Sequence, residues 1–78
     1  LRADWERIKE AVMLRALRAK FADPVLRALL LSTGDRELIE DSDEDSYWAR
    51  SRNGRGLNRA GVLLMQVREE LRAANDRR

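Results

Sequence analysis

The stretch NRAGVLLMQVREELRAA, residues 58–74, decides the fold of this 78-residue chain. Its apolar residues recur at helical spacing, and they are Ala60, Leu63, Leu64, Val67 and Leu71. This stripe predicts an amphipathic helix over about Arg59 to Ala74 that packs its apolar side on a core. Asn58 precedes it, at a position where asparagine commonly caps a helix.

Upstream, a first helix is predicted from about Trp5 to Phe21, with Asp4 as its N-cap. We expect it to face the core through an apolar stripe with the same periodicity. The residues of that stripe are Trp5, Ile8, Val12, Ala16 and Ala19, widened by Met13, Leu17 and Phe21.

Asp23-Pro24 predicts the start of a second helix, because Asp caps well and Pro fits the first helical position. This helix would cover about Pro24 to Ser32, with Gly34 ending it in the left-handed conformation. Three helices, separated by a long segment between the second and the third, predict a mostly α fold.

Composition excludes several classes of protein. The chain is 44% hydrophobic and 38% charged, which is typical of a helix-rich globular protein and not of a disordered one. It has no Cys and no His, which argues against thiolate zinc sites, serine hydrolase triads and cysteine proteases. No apolar run approaches the roughly 20 residues that span a bilayer, and the first residues do not resemble a signal peptide. We therefore expect a cytoplasmic protein without membrane contact.

Charge is distributed unevenly, with +3 over residues 1–34, −6 over 35–48 and +5 over 49–78. An acidic segment between two basic ones argues against uniform electrostatic binding of a nucleic acid.

The acidic segment belongs to a connection of about two dozen residues, which we interpret as the functional loop, since compact domains seldom carry so much irregular chain otherwise. In it, Asp45 and Trp48 are three residues apart. A carboxylate beside an indole suits a ligand with a flat heterocycle and a sugar. The alternative is that Trp48 is a core or lid aromatic and the acidic run a solvated loop.

Gly54 and Gly56, beside Arg52 and Arg55, lead into the N-terminus of the last helix. Backbone N–H groups, the helix dipole and arginine side chains would favour a phosphate there. The alternative is a flexible turn with surface arginines.

Three further positions have two interpretations each. Trp5 is either a core residue or a ligand contact. Lys20 could act as a nucleophile if buried, although a solvated lysine is more common. Glu40 or Asp41 could pair with Asp45 in a two-carboxylate hydrolytic site.

Taken in order, these motifs resemble the C-terminal half of the YbiA-like family, also called the NADAR superfamily. The resemblance covers about Asp4 to Leu71. It rests on an ordered series of motifs, Lys20-Phe21, Leu29-Leu30, Asp45-x-x-Trp48, Gly56-x-Asn58 and Leu64-Met65-x-Val67-Arg68.

The resemblance implies an N-glycosidase that needs no cofactor and whose complete domain has an α+β fold. Family members hydrolyse ribosylaminopyrimidine 5′-phosphate intermediates of riboflavin biosynthesis, and others remove ADP-ribose from guanine bases. By position in the motifs, Asp45 would be the catalytic carboxylate near the sugar. Trp5, Trp48, Arg55 and Asn58 would bind the substrate, with Arg55 at its phosphate.

Two departures from the family pattern matter. Ala49 and Ser51 replace glycines that the family usually has after the tryptophan, which puts the conformation of this loop in doubt. The resemblance also implies that residues 1–78 are only the C-terminal portion of a single domain. The N-terminal half, with an essential glutamate and a lysine, would come from the same polypeptide or from another chain. Lys20 lies in a different motif and does not replace that lysine.

Two other classes of function remain open from the sequence. One is a non-catalytic module that binds ADP-ribose or a nucleotide, with a nucleic acid as partner only if it is ADP-ribosylated. The other is a small helical interaction protein.

Overall fold

A computed structural model describes residues 2–77, with side chains from Asp4 onward. It contains three helices, α1 (Arg2–Lys20), α2 (Pro24–Ser32) and α3 (Arg59–Asp76). Residues 2–77 form no strand, only an isolated parallel bridge between Asp41 and Arg50. The predicted mostly α fold is confirmed. None of the three helices is long and apolar enough to cross a membrane.

The limits of α2 agree with the prediction. The Asp23 carboxylate accepts a hydrogen bond from the backbone N–H of Leu26 at 2.9 Å, which caps the helix. At the other end, Gly34 has a φ of 63° and leads the chain away in the left-handed conformation.

The core lies where α3 packs against both α1 and α2. Its buried members are Phe21, Leu30 and Val67, and Val67 is only 1% exposed. Leucines from all three helices and from the long connection surround them, namely Leu14, Leu17, Leu26, Leu38, Leu64 and Leu71. The predicted apolar face of α3 is therefore confirmed.

A buried arginine ties the long connection to α3. Arg68 is 7% exposed, and its Nη1 donates to the Thr33 hydroxyl at 2.9 Å and to the Arg36 carbonyl at 2.8 Å. These bonds fix the chain just after α2 and satisfy a charged group that would be costly to bury alone. The apolar pattern of α3 gave no sign of this role.

α1 begins earlier than predicted, at Arg2. Asp4 therefore lies inside the first turn and does not cap the helix. Its carboxylate forms an exposed ion pair with Arg7 at 2.5 Å, and a negative charge in the first turn also favours the helix dipole.

The predicted core face of α1 is confirmed at Leu17 and Phe21 but is wrong for the rest of its large apolar residues. Trp5, Ile8 and Val12 are 61%, 54% and 62% exposed, and α1 packs on the core instead through Leu14, Leu17 and the adjoining Phe21. Val12 and Leu14 are two positions apart, which is about 200° around a helix of 3.6 residues per turn. α1 thus has two apolar sides facing opposite directions, and only one is covered.

The packing of the helices explains the uncovered side. α3 packs against both α1 and α2. Among the described residues, the side of α1 that carries Trp5, Ile8 and Val12 stays exposed.

We predict that Leu30→Ala lowers the free energy of unfolding by about 2–5 kcal/mol, because Leu30 is 5% exposed in the core. Leu29→Ala on the same helix is the matched control, since Leu29 is 63% exposed, and should change it by no more than about 0.5 kcal/mol. Chemical denaturation followed by circular dichroism measures both. Equal effects would contradict this assignment of the core.

Candidate functional site

The carboxylate of Asp45 organises the segment that we call the Trp48 turn, residues 45–49. Its Oδ1 accepts hydrogen bonds from the backbone N–H groups of Tyr47, at 3.0 Å, and Trp48, at 2.8 Å. This local bonding of an Asp to the backbone just ahead is characteristic of turns. Oδ1 is committed to the turn, whereas Oδ2 accepts no hydrogen bond from the described residues.

The Trp48 turn is bonded to the start of α3 through the backbone. Carbonyl oxygens of residues 46–49 accept hydrogen bonds from N–H groups of residues 57–60. The four pairs are Leu57 to Ser46 at 2.9 Å, Asn58 to Ala49 at 3.1 Å, Arg59 to Tyr47 at 3.0 Å and Ala60 to Trp48 at 3.0 Å. Because these N–H groups already donate to carbonyl oxygens, they are not available to a phosphate at the start of α3.

Asn58 is the buried support of this arrangement. Its side chain is 0% exposed, with Nδ2 donating to the Leu38 carbonyl and Oδ1 accepting from the Glu40 N–H, both at 2.9 Å. Its backbone is left-handed, with a φ of 52°, and its side chain makes no capping bond to α3. No surface of the amide is open to a ligand, so in this structure Asn58 shapes the site without touching it.

The backbone at the departures from the family pattern is unstrained. Among residues 2–77, Asn58 is the only non-glycine residue with positive φ, so Ala49 and Ser51 both have ordinary backbone angles. The close approach occurs at Gly56 instead, where φ is 114° and a Cβ would collide with the Ala49 carbonyl oxygen. Replacing the family glycines therefore leaves the turn intact.

A polar cluster that the sequence did not reveal holds the Trp48 turn from the side of α1. The Glu10 carboxylate accepts two hydrogen bonds from the Arg59 guanidinium, both at 2.8 Å, and one from the Tyr47 hydroxyl. Lys9 Nζ lies 3.5 Å from the centroid of the Tyr47 ring, and that ring packs edge-on against Trp48. The cluster thereby joins α1, the turn and α3.

The pKa values follow from this bonding. The Arg59 hydrogen bonds lower the pKa of Glu10, which keeps the carboxylate charged. The hydrogen bond to Glu10 raises the pKa of Tyr47 to about 12, because a tyrosinate would lose that bond and repel the carboxylate.

Trp48 lines a cavity of about 450 Å³, which we call the central cleft. Its wall is apolar along Met13, Leu17, Phe21 and Leu64, whereas Lys20, Glu40 and Asp45 supply its charges. Asp41 does not line it. Lys20 is largely solvent-exposed, as expected of an ordinary lysine, but it lies at the cleft.

A second cavity, of about 530 Å³, lies on the other side of Asp45, and we call it the arginine groove. Arg52 and Arg55 line it, and neither guanidinium has a hydrogen-bond or ion-pair partner among the described residues. Both belong to a small exposed loop that is closed by the Ser51 N–H bonded to the Arg55 carbonyl at 2.8 Å.

Trp5 lies in a third cavity, which we call the outer pocket, of about 320 Å³ on the uncovered side of α1. Its lining is formed by Trp5, Ile8, Lys9, Val12, Met13, Ala16 and Trp48. Met13 and Trp48 also line the central cleft, so the two cavities are neighbours. Neither tryptophan is a core residue, since Trp5 is 61% exposed and Trp48 is half-buried.

The structure thus brings four of the five predicted site residues to connected cavities. Trp48 joins the central cleft to the outer pocket of Trp5, and Asp45 joins that cleft to the groove of Arg55. Sequence reasoning missed Glu10 and left Lys20 and Glu40 unassigned. These three residues are far from Trp48 in sequence or in a different motif, and only the fold brings them near it. In the described residues, no three acidic side chains converge as they would around a metal ion.

Comparison with known proteins places these residues in a family context. The model of the NADAR domain matches residues 1–72. The N-glycosidase YbiA of Escherichia coli strain K12 is 51% identical over 72 residues, which are 91% of this chain and 45% of that protein. No solved structure matches the chain significantly.

Two other relatives extend the comparison. An N-glycosidase of Nostoc punctiforme is 45% identical over 73 residues, 92% of this chain and 47% of that protein. The chloroplastic riboflavin biosynthesis protein PYRR of Arabidopsis thaliana is 48% identical over 71 residues, 90% of this chain but 12% of that much longer protein. The chain spans about half the length of the bacterial relatives it matches.

We predict that Glu10→Gln lowers the pKa of Tyr47 from about 12 towards its usual value near 10, because the carboxylate that disfavours tyrosinate is removed. Tyr47 is the only tyrosine, so tyrosinate absorbance follows it directly. Because folding raises this pKa, the stabilisation it reflects is complete below pH 10 and is lost as the pH rises towards 12. Asp4→Asn, which removes an α1 carboxylate whose partner among the described residues is Arg7, is the control. Identical titrations in both variants would contradict the role of Glu10.

Proposed function

The chain belongs to the NADAR domain family, and from this membership and the geometry of the site we propose that it forms the substrate-binding half of an N-glycosidase. The proposed activity is hydrolysis of the bond between ribose C1′ and a base nitrogen. The names of the bacterial relatives support this class of reaction.

The position of Asp45 carries the proposal. This carboxylate lies between the arginine groove and the central cleft, the cavity that contains Trp48. A ribosyl phosphate laid across it would have its phosphate at Arg52 and Arg55, its sugar at Asp45 and its base at Trp48. Guanidinium groups suit phosphate, and an indole suits a flat base.

In the proposed reaction Asp45 acts through its negative charge. As the C1′–N bond breaks, the electron pair of that bond leaves with the base, and positive charge develops on C1′ and the ring oxygen. An adjacent carboxylate stabilises that charge. Oδ1 is held by two backbone N–H groups, so Oδ2 is the oxygen available to the sugar. Water then adds to C1′, and a proton goes to the departing base.

We propose that the groups for proton transfer lie outside these 78 residues. The family resemblance assigns an essential glutamate and a lysine to an N-terminal half, and the chain covers only 45–47% of its bacterial relatives. In this proposal residues 1–78 are the C-terminal portion of a single domain. The other half comes from the same polypeptide or a second chain, and the complete protein acts in the cytoplasm.

For the substrate, we propose a ribosylaminopyrimidine 5′-phosphate. The name of the plant relative places that protein in riboflavin biosynthesis. The two arginines of the groove are also enough to bind a single 5′-phosphate. ADP-ribosyl compounds, including ADP-ribosylated nucleic acid, share the ribose and phosphate and are the alternative substrates.

A second candidate function is binding of ADP-ribose without hydrolysis. The commitment of Asp45 Oδ1 to the backbone favours it, because this carboxylate already has a structural task. The same commitment is compatible with catalysis through Oδ2, and kinetics of the complete protein separates the two.

We predict that Asp45→Asn in the complete protein lowers kcat about 10²- to 10³-fold with little change in KM. Asparagine keeps an oxygen acceptor for the turn but removes the charge. Asp43→Asn is the matched control, because Asp43 lines the arginine groove but not the central cleft, and it should stay within about twofold of the parent. Steady-state hydrolysis of an aminopyrimidine ribose 5′-phosphate is the measurement. An unchanged kcat in Asp45→Asn would reject the catalytic role.

We predict that Arg55→Gln raises KM for the phosphorylated substrate about tenfold and leaves kcat unchanged, since one charge-assisted hydrogen bond of about 1.5 kcal/mol is lost. Turnover of the corresponding unphosphorylated nucleoside should not respond. Arg15→Gln is the control, because Arg15 is an exposed arginine of α1 that lines none of the three cavities. Equal losses with both substrates would show that Arg55 does not read the phosphate.

A further inference from the structure

We infer that the uncovered side of α1, together with the outer face of Trp48, is an internal interface onto which the remaining half of the same NADAR domain packs. We call this surface the outer face and define it as Trp5, Ile8, Val12, Ala16 and Trp48. The inference rests on the proposal above that these residues are one portion of a longer domain. It does not depend on the proposed catalysis, because it concerns which part of the polypeptide covers α1.

The first support is the apolar character of the outer face. Three large apolar side chains in succession, Trp5, Ile8 and Val12, are more than half exposed at helical spacing. Single exposed apolar residues are ordinary, but a continuous row along one helix marks an interaction surface. A helix that is apolar on two opposite sides is typical of one that is buried between two layers.

The second support is the amount of exposed surface. The chain exposes 5890 Å², whereas a complete monomer of its 9.1 kDa mass would expose about 4,900 Å². The excess, about 1,000 Å², is comparable to the roughly 800 Å² that each partner buries in a standard interface. The radius of gyration agrees, at 13.5 Å against about 11.5 Å for a compact domain of this length.

The third support is the length of chain that could cover this surface. The 72 matched residues are 45% of the Escherichia coli relative, which therefore has about 160 residues, and about 90 of them have no counterpart here. Ninety residues are ample for a second layer on α1. A layer from the same domain accounts for both the missing length and the excess area.

Because Trp48 belongs to both the outer face and the central cleft, covering the outer face would also affect the cleft. Trp48 and Met13 line both the outer pocket and the central cleft. A layer that covers Val12 and Trp5 therefore reaches the edge of the cleft and supplies its missing wall. The outer face would position that layer beside Asp45 and Trp48, so the cleft would be complete only when the two halves are packed together.

The test is the accessibility of introduced thiols in the complete polypeptide, with any other cysteine replaced by serine. The 78 residues themselves contain no cysteine. Val12→Cys and Ile8→Cys probe the outer face. Ala11→Cys is the matched control, because Ala11 is the exposed neighbour of Val12 on the same helix and points about 100° away from it.

We expect a maleimide to label Val12→Cys and Ile8→Cys at least about tenfold more slowly than Ala11→Cys, with the difference independent of protein concentration. Equal labelling rates at the three positions would overturn the inference. Protection that disappears on dilution would also overturn it, since the occupant would then be a second copy of the chain. Labelling is read without turnover, so an inactive protein with a protected outer face would reject only the proposed function.

Discussion

The buried amide of Asn58 is the constraint on which the rest of the site depends. It closes hydrogen bonds to the backbone of Leu38 and Glu40, and the N–H of the same residue bonds to Ala49. These bonds hold two stretches of the long connection against the start of α3 in a region that water does not reach. Because an unsatisfied polar group buried there costs about 1–3 kcal/mol, each segment fixes the position of the others.

The position of the Trp48 turn depends on the hydrogen bonds of Asn58. Backbone hydrogen bonds join it to α3, Asp45 stabilises it from within, and Glu10 holds it from α1 through Tyr47 and Arg59. The side chain of Trp48 is thereby presented at the edge of the core and is kept out of it. Such a rigid frame suits the ligand-binding role proposed for Trp48, since ordering a loop at the moment of binding would cost affinity.

Local patterns predicted the elements whose signals were local. Asp23-Pro24 and Gly34 gave both ends of α2, and the spacing of Leu63 and Val67 gave the buried face of α3. One failure is local, because Asp4 lies inside the first turn of α1 and does not cap it. The other failures involve long-range contacts. Trp5, Ile8 and Val12 do form an apolar stripe along α1. Periodicity alone, however, cannot show which of the two apolar sides of α1 packs against α3. No local pattern reveals that the N–H groups at the start of α3 donate to carbonyls of residues 46–49. Glu10 and Arg68 were missed for the same reason, since their partners are far away in sequence.

The exposed loop that carries Arg52 and Arg55 is closed at its own base by the hydrogen bond between the Ser51 N–H and the Arg55 carbonyl. Insertions at its tip would leave the closing bond and the register of the Trp48 turn unchanged, since surface loops tolerate added length at small entropic cost. Natural selection or a protein engineer can therefore alter the reach and charge of this segment independently of the scaffold.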